Sequence, residues 1–124
     1  MGVKVYLPVK KMVSVDACTN ATWMQRVTFT LEGQKTQVWE GTGEGNQEMG
    51  RTTIFAGKAA SGASHVEVLV TIEHSKDGGN TWAESRVRKM ETGFSDAGGQ
   101  VIVFAEDGVD RDWNDTVLRF WWLP

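Results

Sequence analysis

The residues best suited to chemistry lie in one acidic segment near the end of the chain. Positions 106–115 read Glu-Asp-Gly-Val-Asp-Arg-Asp-Trp-Asn-Asp, which places five carboxylates against a single arginine. The segment therefore carries a local charge of −4, whereas the whole chain of 124 residues carries only −3. Because carboxylate and amide oxygens are hard ligands, this composition favours a cation of the calcium class.

The spacing of Asp110, Asp112 and Asn114 is similar to the first half of an EF-hand loop, but the rest of the segment is not. Asp115 replaces the glycine that such a loop requires at its sixth position, and Trp121 stands where the bidentate glutamate belongs. The flanking residues also have strand patterns rather than helical ones. The sequence excludes an EF-hand and leaves two possibilities, a different oxygen cage or a solvated acidic turn.

Apolar and polar residues alternate through most of the chain, notably in 27–31 and 66–72, which is typical of strands with one face on a core. Further β-rich runs are Val3 to Leu7, Val13 to Val15, Gln37 to Trp39, Thr52 to Phe55, Ser85 to Met90, Val101 to Ala105 and Thr116 to Trp122. Glycine-rich turn clusters, including 41–46 and 77–80, separate these runs. We therefore predict an all-β fold, a single antiparallel β-sandwich of about nine strands that spans residues 1–124 as one domain.

Composition excludes several classes of protein. Cys18 is the only cysteine, so neither an intrachain disulfide nor a cysteine zinc site can form. The chain has no basic cluster that would indicate a nucleic-acid partner, and no apolar run approaches the roughly 18 residues of a transmembrane helix. Since the first residues also lack a signal-peptide pattern, we expect a soluble protein, either cytoplasmic or exported without a recognisable signal peptide.

The pattern Glu106-Asp-Gly-x-Asp-x-Asp-x-Asn-Asp115, followed by a terminal strand with a tryptophan near the chain end, resembles the signature of the LecB-type soluble bacterial lectins. The resemblance covers nearly the whole chain, with further matches in order at Leu7-Pro8, Asn20, Gln25, Trp39-Glu40-Gly41, Gly50 and Thr53. Members of that family are nine-stranded antiparallel sandwiches that bind fucose or mannose through two adjacent calcium ions.

The resemblance implies a set of site residues. Two calcium ions would be held by Asn20, Glu106, Asp110, Asp112, Asn114 and Asp115. Asp107 would accept hydrogen bonds from the sugar, and the loop Ala21-Thr22-Trp23 would set the sugar preference. Thr22 can donate a hydroxyl hydrogen bond, whereas Ala21 lacks the hydroxyl of fucose-preferring members and so favours mannose. Trp23 replaces a small residue and either crowds the site or stacks on the sugar.

Members of the family commonly end in a glycine whose carboxylate ligates calcium in the neighbouring subunit. This chain ends at Pro124, one residue short and without the glycine. The Pro124 carboxylate is therefore the candidate for that role, and we expect a homodimer or a larger assembly. The expected ligands are glycans that contain mannose or fucose.

Two other functions compete with sugar binding. A structural calcium site in an adhesion or assembly module would explain the acidic segment but not the match at Asn20. A glycosidase could use Glu106 and Asp110 as acid and nucleophile. However, the remaining carboxylates crowd the same loop, and so short a chain has no visible insertion that would form a pocket. We therefore expect a binding protein and not an enzyme.

Overall fold

The alternating sequence pattern folds into strands, which a computed structural model describes for residues 2–92, 98–108 and 113–124. The strands in these ranges are β1 (Val3–Pro8), β2 (Met12–Leu31), β3 (Gln37–Phe55), β4 (His65–Ser75), β5 (Ala83–Glu84), β6 (Arg86–Thr92), β7 (Gly99–Glu106) and β8 (Thr116–Trp122). None of the described segments forms a helix with the length and hydropathy needed to cross a membrane.

All of these strands pair antiparallel, in the order β1-β4-β2-β8-β7-β6, with β3 added to β2 and β5 to β4. Along one edge β2 pairs with β3. Along the other edge, residues 14–19 of β2 pair with β8 and residues 24–31 pair with β4. The long β2–β3 ribbon is thus common to a layer with β1 and β4 and a layer with β6, β7 and β8.

The hydrophobic core lies between these layers and contains the inward side chains of most strands. Phe29 of β2 and Phe120 of β8 are fully buried and meet edge to face, with ring centroids 5.8 Å apart. Trp39 contacts Phe29 from the other side at 5.1 Å and lies over Gly50, where any Cβ would overlap the indole. Each such buried side chain contributes roughly 1.5–3 kcal/mol of hydrophobic free energy.

The predicted antiparallel β-sandwich is confirmed, but two local predictions were wrong. The runs expected as separate strands at 13–15 and 27–31 belong to one continuous strand, β2, and the turn expected at 41–46 lies inside β3. The glycines there bend a strand instead of ending it. Gly43, Gly45 and Asn46 all have positive φ angles, and the β2–β3 register shifts opposite them.

Candidate metal centre

The two ends of the acidic segment meet because they lie on neighbouring strands. Glu106 is the last residue of β7, Asp115 immediately precedes β8, and Ala105 pairs with Thr116 across the two strands. Glu106, Asp107 and Asp115 each offer a carboxylate oxygen, and these oxygens all lie within 4.8 Å of one another. Antiparallel pairing of adjacent strands therefore builds a compact group of oxygen ligands.

Two buried oxygens of this group accept no hydrogen bond from any described residue. They are Oε2 of Glu106, a residue only 1% exposed, and Oδ1 of Asn114. Burial raises the pKa of Asp115, and the neighbouring Asp107 charge acts in the same direction. Since a buried carboxylate without a partner is costly, these unpartnered oxygens fit a cation better than they fit a closed structural cluster.

Backbone amides hold one carboxylate oxygen of Asp115 and one of Glu106 and so fix the orientation of both side chains. The Asp107 amide donates to Oδ2 of Asp115 at 2.8 Å, and the Gly108 amide donates to Oε1 of Glu106 at 3.3 Å. One oxygen of Glu106 is thus held by the chain while the other is free to bind a ligand. The site is preorganised by its own loop.

Gln25, which sequence reasoning did not assign to the site, orients Asp107. Its side chain is fully buried, and Nε2 donates to Oδ2 of Asp107 at 2.8 Å and to the Trp23 carbonyl at 3.2 Å. Its Oε1 accepts a hydrogen bond from the Thr116 hydroxyl at 2.8 Å. The signal was present in the sequence, because Gln25 shares the inward parity of Val27, and a buried glutamine needs partners.

Asn20, predicted as the outlying ligand, lies directly against the acidic segment. Its backbone amide donates to the Asp115 carbonyl at 3.1 Å, and its Nδ2 donates to the Asn114 carbonyl at 3.1 Å. Asn46 of β3, a second residue that sequence reasoning missed, holds the same side chain. The Asn46 amide donates to Oδ1 of Asn20 at 2.6 Å, and its Oδ1 accepts from Nδ2 at 2.8 Å.

The predicted sugar loop, Ala21-Thr22-Trp23, is not a separate loop but an irregular part of strand β2, where the register with β3 shifts, and it lies beside this cluster. Ala21 is buried, Thr22 is exposed and Trp23 is half-buried. The Thr42 hydroxyl of β3 donates to the Thr22 carbonyl at 3.0 Å and so holds this segment against β3. The Trp23 ring stacks on His74, with centroids 5.7 Å apart and planes 17° apart.

Two arginines of β6 stabilise the other side of the acidic segment. Arg86 donates from Nη2 to the Gly108 carbonyl at 2.5 Å. The guanidinium of Arg88 lies 4.3 Å from the centroid of the Trp113 ring, and that of Arg86 lies 5.6 Å from it. These contacts place positive charge against the loop and anchor it to the sheet.

The structure therefore brings together five of the predicted site residues, Asn20, Glu106, Asp107, Asn114 and Asp115. Asp110 and Asp112 lie outside the described residues. Pro124 is exposed and lies beyond the opposite end of β8 from Asp115, a separation of roughly 20 Å for a seven-residue strand. Within one subunit the Pro124 carboxylate does not reach the cluster.

The fold is the sandwich found in several bacterial lectins. The Chromobacterium violaceum lectin CV2L, solved with α-methyl-fucoside, matches with a TM-score of 0.77 and 22% identity over 100% of this chain and 98% of that one. A high-affinity mannose-binding lectin of Ralstonia solanacearum matches with a TM-score of 0.76 and 20% identity over 98% and 96%. The C-terminal domain of the Burkholderia cenocepacia lectin BC2L-C gives 0.73 and 20% over 100% and 97%. The fold thus defines a class, the bacterial lectin sandwich.

The sequence identifies the family within that class. Residues 5–124 match the profile of fucose-binding lectin II (PA-IIL), and the chain belongs to this family. The resemblance predicted from the acidic segment is thereby confirmed. Among curated proteins, no sequence gives a significant match.

Proposed function

We propose that this protein is a calcium-dependent lectin that binds mannose- or fucose-type sugars at the acidic cluster. The observation that carries the proposal is a pair of buried oxygens, Glu106 Oε2 and Asn114 Oδ1, that have no hydrogen-bond partner among the described residues. They lie in the acidic segment, where this chain, a member of a lectin family, concentrates its negative charge. Membership of that family also supports binding rather than hydrolysis as the activity.

The donor set fits calcium. Every candidate ligand is a carboxylate or amide oxygen, and calcium accepts six to eight such ligands in flexible geometry. We propose Asn20, Glu106, Asp110, Asp112, Asn114 and Asp115 as the ligands within one subunit. The local charge of −4 is matched by two divalent ions, which is why we propose two and not one.

Bound calcium would supply coordination positions that two neighbouring sugar hydroxyls can occupy in place of water. The protein supplies the other half of the recognition. Asp107 is half-buried and is held by Gln25, which supports the proposal that its carboxylate accepts hydrogen bonds from sugar hydroxyls. Hydrogen bonds to an ionised acceptor are roughly twice as strong as those between neutral groups. Thr22, exposed on the adjacent loop, has a hydroxyl that can add a further bond.

Mannose is the proposed preference over fucose, because Ala21 provides no hydroxyl on the sugar loop. Ligands of both types are named for structures of this fold, α-methyl-fucoside for the Chromobacterium lectin and mannose for the Ralstonia lectin. Titration calorimetry with the methyl glycosides of mannose and fucose measures the ratio directly. Replacing Ala21 with Ser is expected to move that ratio towards fucose. Tighter binding of fucose by the unmodified protein would contradict the interpretation of the loop and leave the calcium proposal intact.

A glycan array with and without a chelator tests the proposed function as a whole. We expect mannose- or fucose-terminated glycans to bind in calcium, to dissociate in EDTA and to bind again when calcium is restored. A structural calcium module would be stabilised by calcium without binding any glycan. A glycosidase would release free sugar from a bound glycan. Either result would replace the lectin proposal with its competitor.

A further inference from the structure

Lys76 places an exposed positive charge at the edge of the proposed sugar site. It follows β4 directly, and its Nζ lies 4.6 Å from the centroid of the Trp23 ring. We propose that Lys76 forms a cationic subsite that favours glycans carrying a carboxylate or sulfate next to the primary mannose or fucose. The proposal deepens the proposed function and rests on it.

The subsite is connected to the sugar site through one buried amide. Nε2 of Gln25 donates both to the Trp23 carbonyl at 3.2 Å and to the Asp107 carboxylate at 2.8 Å. The backbone carbonyl of Trp23 and the carboxylate of Asp107 therefore lie on either side of one nitrogen atom. In this proposal, the substituents of a sugar held at Asp107 extend towards the Trp23 ring and the Lys76 side chain that lies over it.

The charge of Lys76 is available to a ligand. Within the described part of the chain, no carboxylate lies within ion-pairing distance of its ammonium group. The adjacent carboxylate, Asp77, is fully engaged by its own loop. It accepts from the Ser75 hydroxyl at 2.7 Å and from the amide and hydroxyl of Thr81 at 2.8 and 2.6 Å.

Another cation of the β2–β4 pair, Arg26, provides the contrast. It pairs with Glu73 at 3.0 Å and with Glu40 at 3.9 Å, and its guanidinium covers the Trp82 ring at 4.1 Å. Its charge is thus neutralised by carboxylates of β3 and β4. Among the described residues, Lys76 instead contacts the Trp23 ring, and a cation–π contact leaves the ammonium N–H groups free to donate to an anion.

The support beneath Lys76 is rigid, which is what a recognition group needs. His74, on which Trp23 stacks, is buried and shares a hydrogen bond of 2.8 Å with Ser85. The loop that follows is closed by the Gly79 amide, which donates to the Ser75 hydroxyl at 2.8 Å. The backbone and the aromatic base of the subsite are therefore fixed before any ligand binds.

The expected gain in affinity for acidic glycans is modest because the ion pair between Lys76 and the ligand is exposed to solvent. Exposed ion pairs correspond to about two- to fivefold in affinity, and the gain should fall as salt screens the charges. Calorimetry at saturating calcium would compare methyl α-mannoside with its 6-sulfate, and α-mannosyl-glucuronic acid with the matching neutral α-mannosyl-glucose. The quantity of interest is the ratio of acidic to neutral affinity.

Three variants make the test specific. Lys76→Met keeps the length of the side chain over Trp23 and should bring the acidic-to-neutral ratio to about one, without weakening the neutral ligand. Lys76→Arg should keep the ratio. Lys58→Met removes an equally exposed lysine from the loop before β4, at the opposite end of that strand, and should leave the ratio unchanged.

The possible outcomes distinguish a failure of the Lys76 subsite from a failure of the proposed lectin function. A ratio of one for both ligand pairs in the unmodified protein would overturn the subsite, as would a ratio that survives Lys76→Met. In both cases the neutral ligands still bind in calcium, so the lectin proposal stands. Failure of the neutral ligands to bind would instead refute the lectin proposal and the subsite with it.

Discussion

Gln25 and Asp107, which lie 82 positions apart in the chain, are joined by a hydrogen bond of 2.8 Å from a fully buried amide to a half-exposed carboxylate. The same amide group accepts a hydrogen bond from Thr116 at the start of β8. One side chain of β2 therefore links the acidic segment to the core of the sandwich. The orientation of the proposed sugar acceptor depends on a residue that contacts neither metal nor sugar.

Replacing Gln25 with Leu tests this link. The substitution keeps the size of the side chain but leaves the Thr116 hydroxyl and the Asp107 carboxylate without their partner. We expect unfolding in urea to show a loss of about 1–3 kcal/mol, since buried polar groups lose their hydrogen bonds. Sugar affinity should fall as well, because Asp107 is no longer held in place. The matched control is Gln34→Leu on an exposed turn, where the lost hydrogen bond to the Phe55 carbonyl is exposed to water, so the loss should be about 0.5 kcal/mol.

Replacing Glu106 with Gln separates its two roles, as a proposed calcium ligand and as the hydrogen-bond acceptor for the Gly108 amide. The amide keeps the shape and can still accept from the Gly108 amide, but the negative charge is lost. At calcium about a hundred times above the dissociation constant, one site stabilises the unmodified protein by roughly 2.7 kcal/mol. We expect most of this stabilisation to disappear in Glu106→Gln, with a correspondingly smaller rise in melting temperature.

In EDTA the same variant should be at least as stable as the unmodified protein, because it removes a buried charge whose Oε2 has no partner among the described residues. Glu32→Gln, at the exposed turn after β2, serves as the control and should respond to calcium normally. A calcium-induced rise in melting temperature that is equal in Glu106→Gln and Glu32→Gln would show that Glu106 is not a ligand.

The elements of this fold and part of its site could be predicted because they depend on local pattern. The alternation of residues 27–31 indicates the buried face of β2. The two ends of the acidic segment lie close together because β7 and β8 are consecutive antiparallel strands. Asn46 could not be placed in the same way. It reaches Asn20 only through the β2–β3 pairing, whose register shifts at three points between Ala17 and Gln25.

The contact between Lys76 and Trp23 could not be predicted from the sequence for the same reason. The turn that contains it is visible in the sequence, but its neighbour Trp23 lies on another strand. The two meet because Met24 pairs with Ser75 across β2 and β4. Bulges and long-range pairings are set by the packing of the whole sandwich, so residues joined by them leave no local signal.

The Asp77 loop should make stability depend on pH in the acid range. Hydrogen bonds from Thr81 lower the pKa of Asp77 from 3.8 to about 2, and the bond from the Thr81 hydroxyl has a larger effect than the bond from its amide. Because the folded pKa lies below the unfolded one, the stabilisation is fully present above about pH 4 and is lost as the pH falls towards 2.

Asp77→Asn should therefore melt at a lower temperature than the unmodified protein at pH 7, and the difference should shrink between pH 4 and pH 2. The comparison is made in EDTA, so that the acidic cluster titrates equally in both proteins. Thr81→Val removes the hydroxyl donor and should reproduce part of the same pH-dependent loss. A difference in melting temperature that stays constant from pH 7 to pH 2 would contradict this account of Asp77.

The last residues of the chain combine exposed apolar surface with a buried polar group that has no partner among the described residues. Leu123 is 70% exposed, and the Nε1 group of Trp121 is buried without a hydrogen-bond partner among the described residues. Phe120, one residue before Trp121 in the same strand, belongs to the core. Since Pro124 lies at the far end of β8 from its own acidic cluster, its carboxylate could complete only the site of a second copy.

We expect the protein to be a homodimer or larger, and a short tag fused after Pro124 to weaken calcium and sugar binding without unfolding the domain. The tag moves the terminal carboxylate away and adds bulk where a partner would lie. Light scattering gives the mass, calorimetry gives both affinities, and the melting temperature in EDTA reports folding. The same tag placed before Met1 is the control. If both tagged proteins bind calcium and sugar equally well, Pro124 is not a ligand, and any assembly rests on the packing of Leu123 and its neighbours alone.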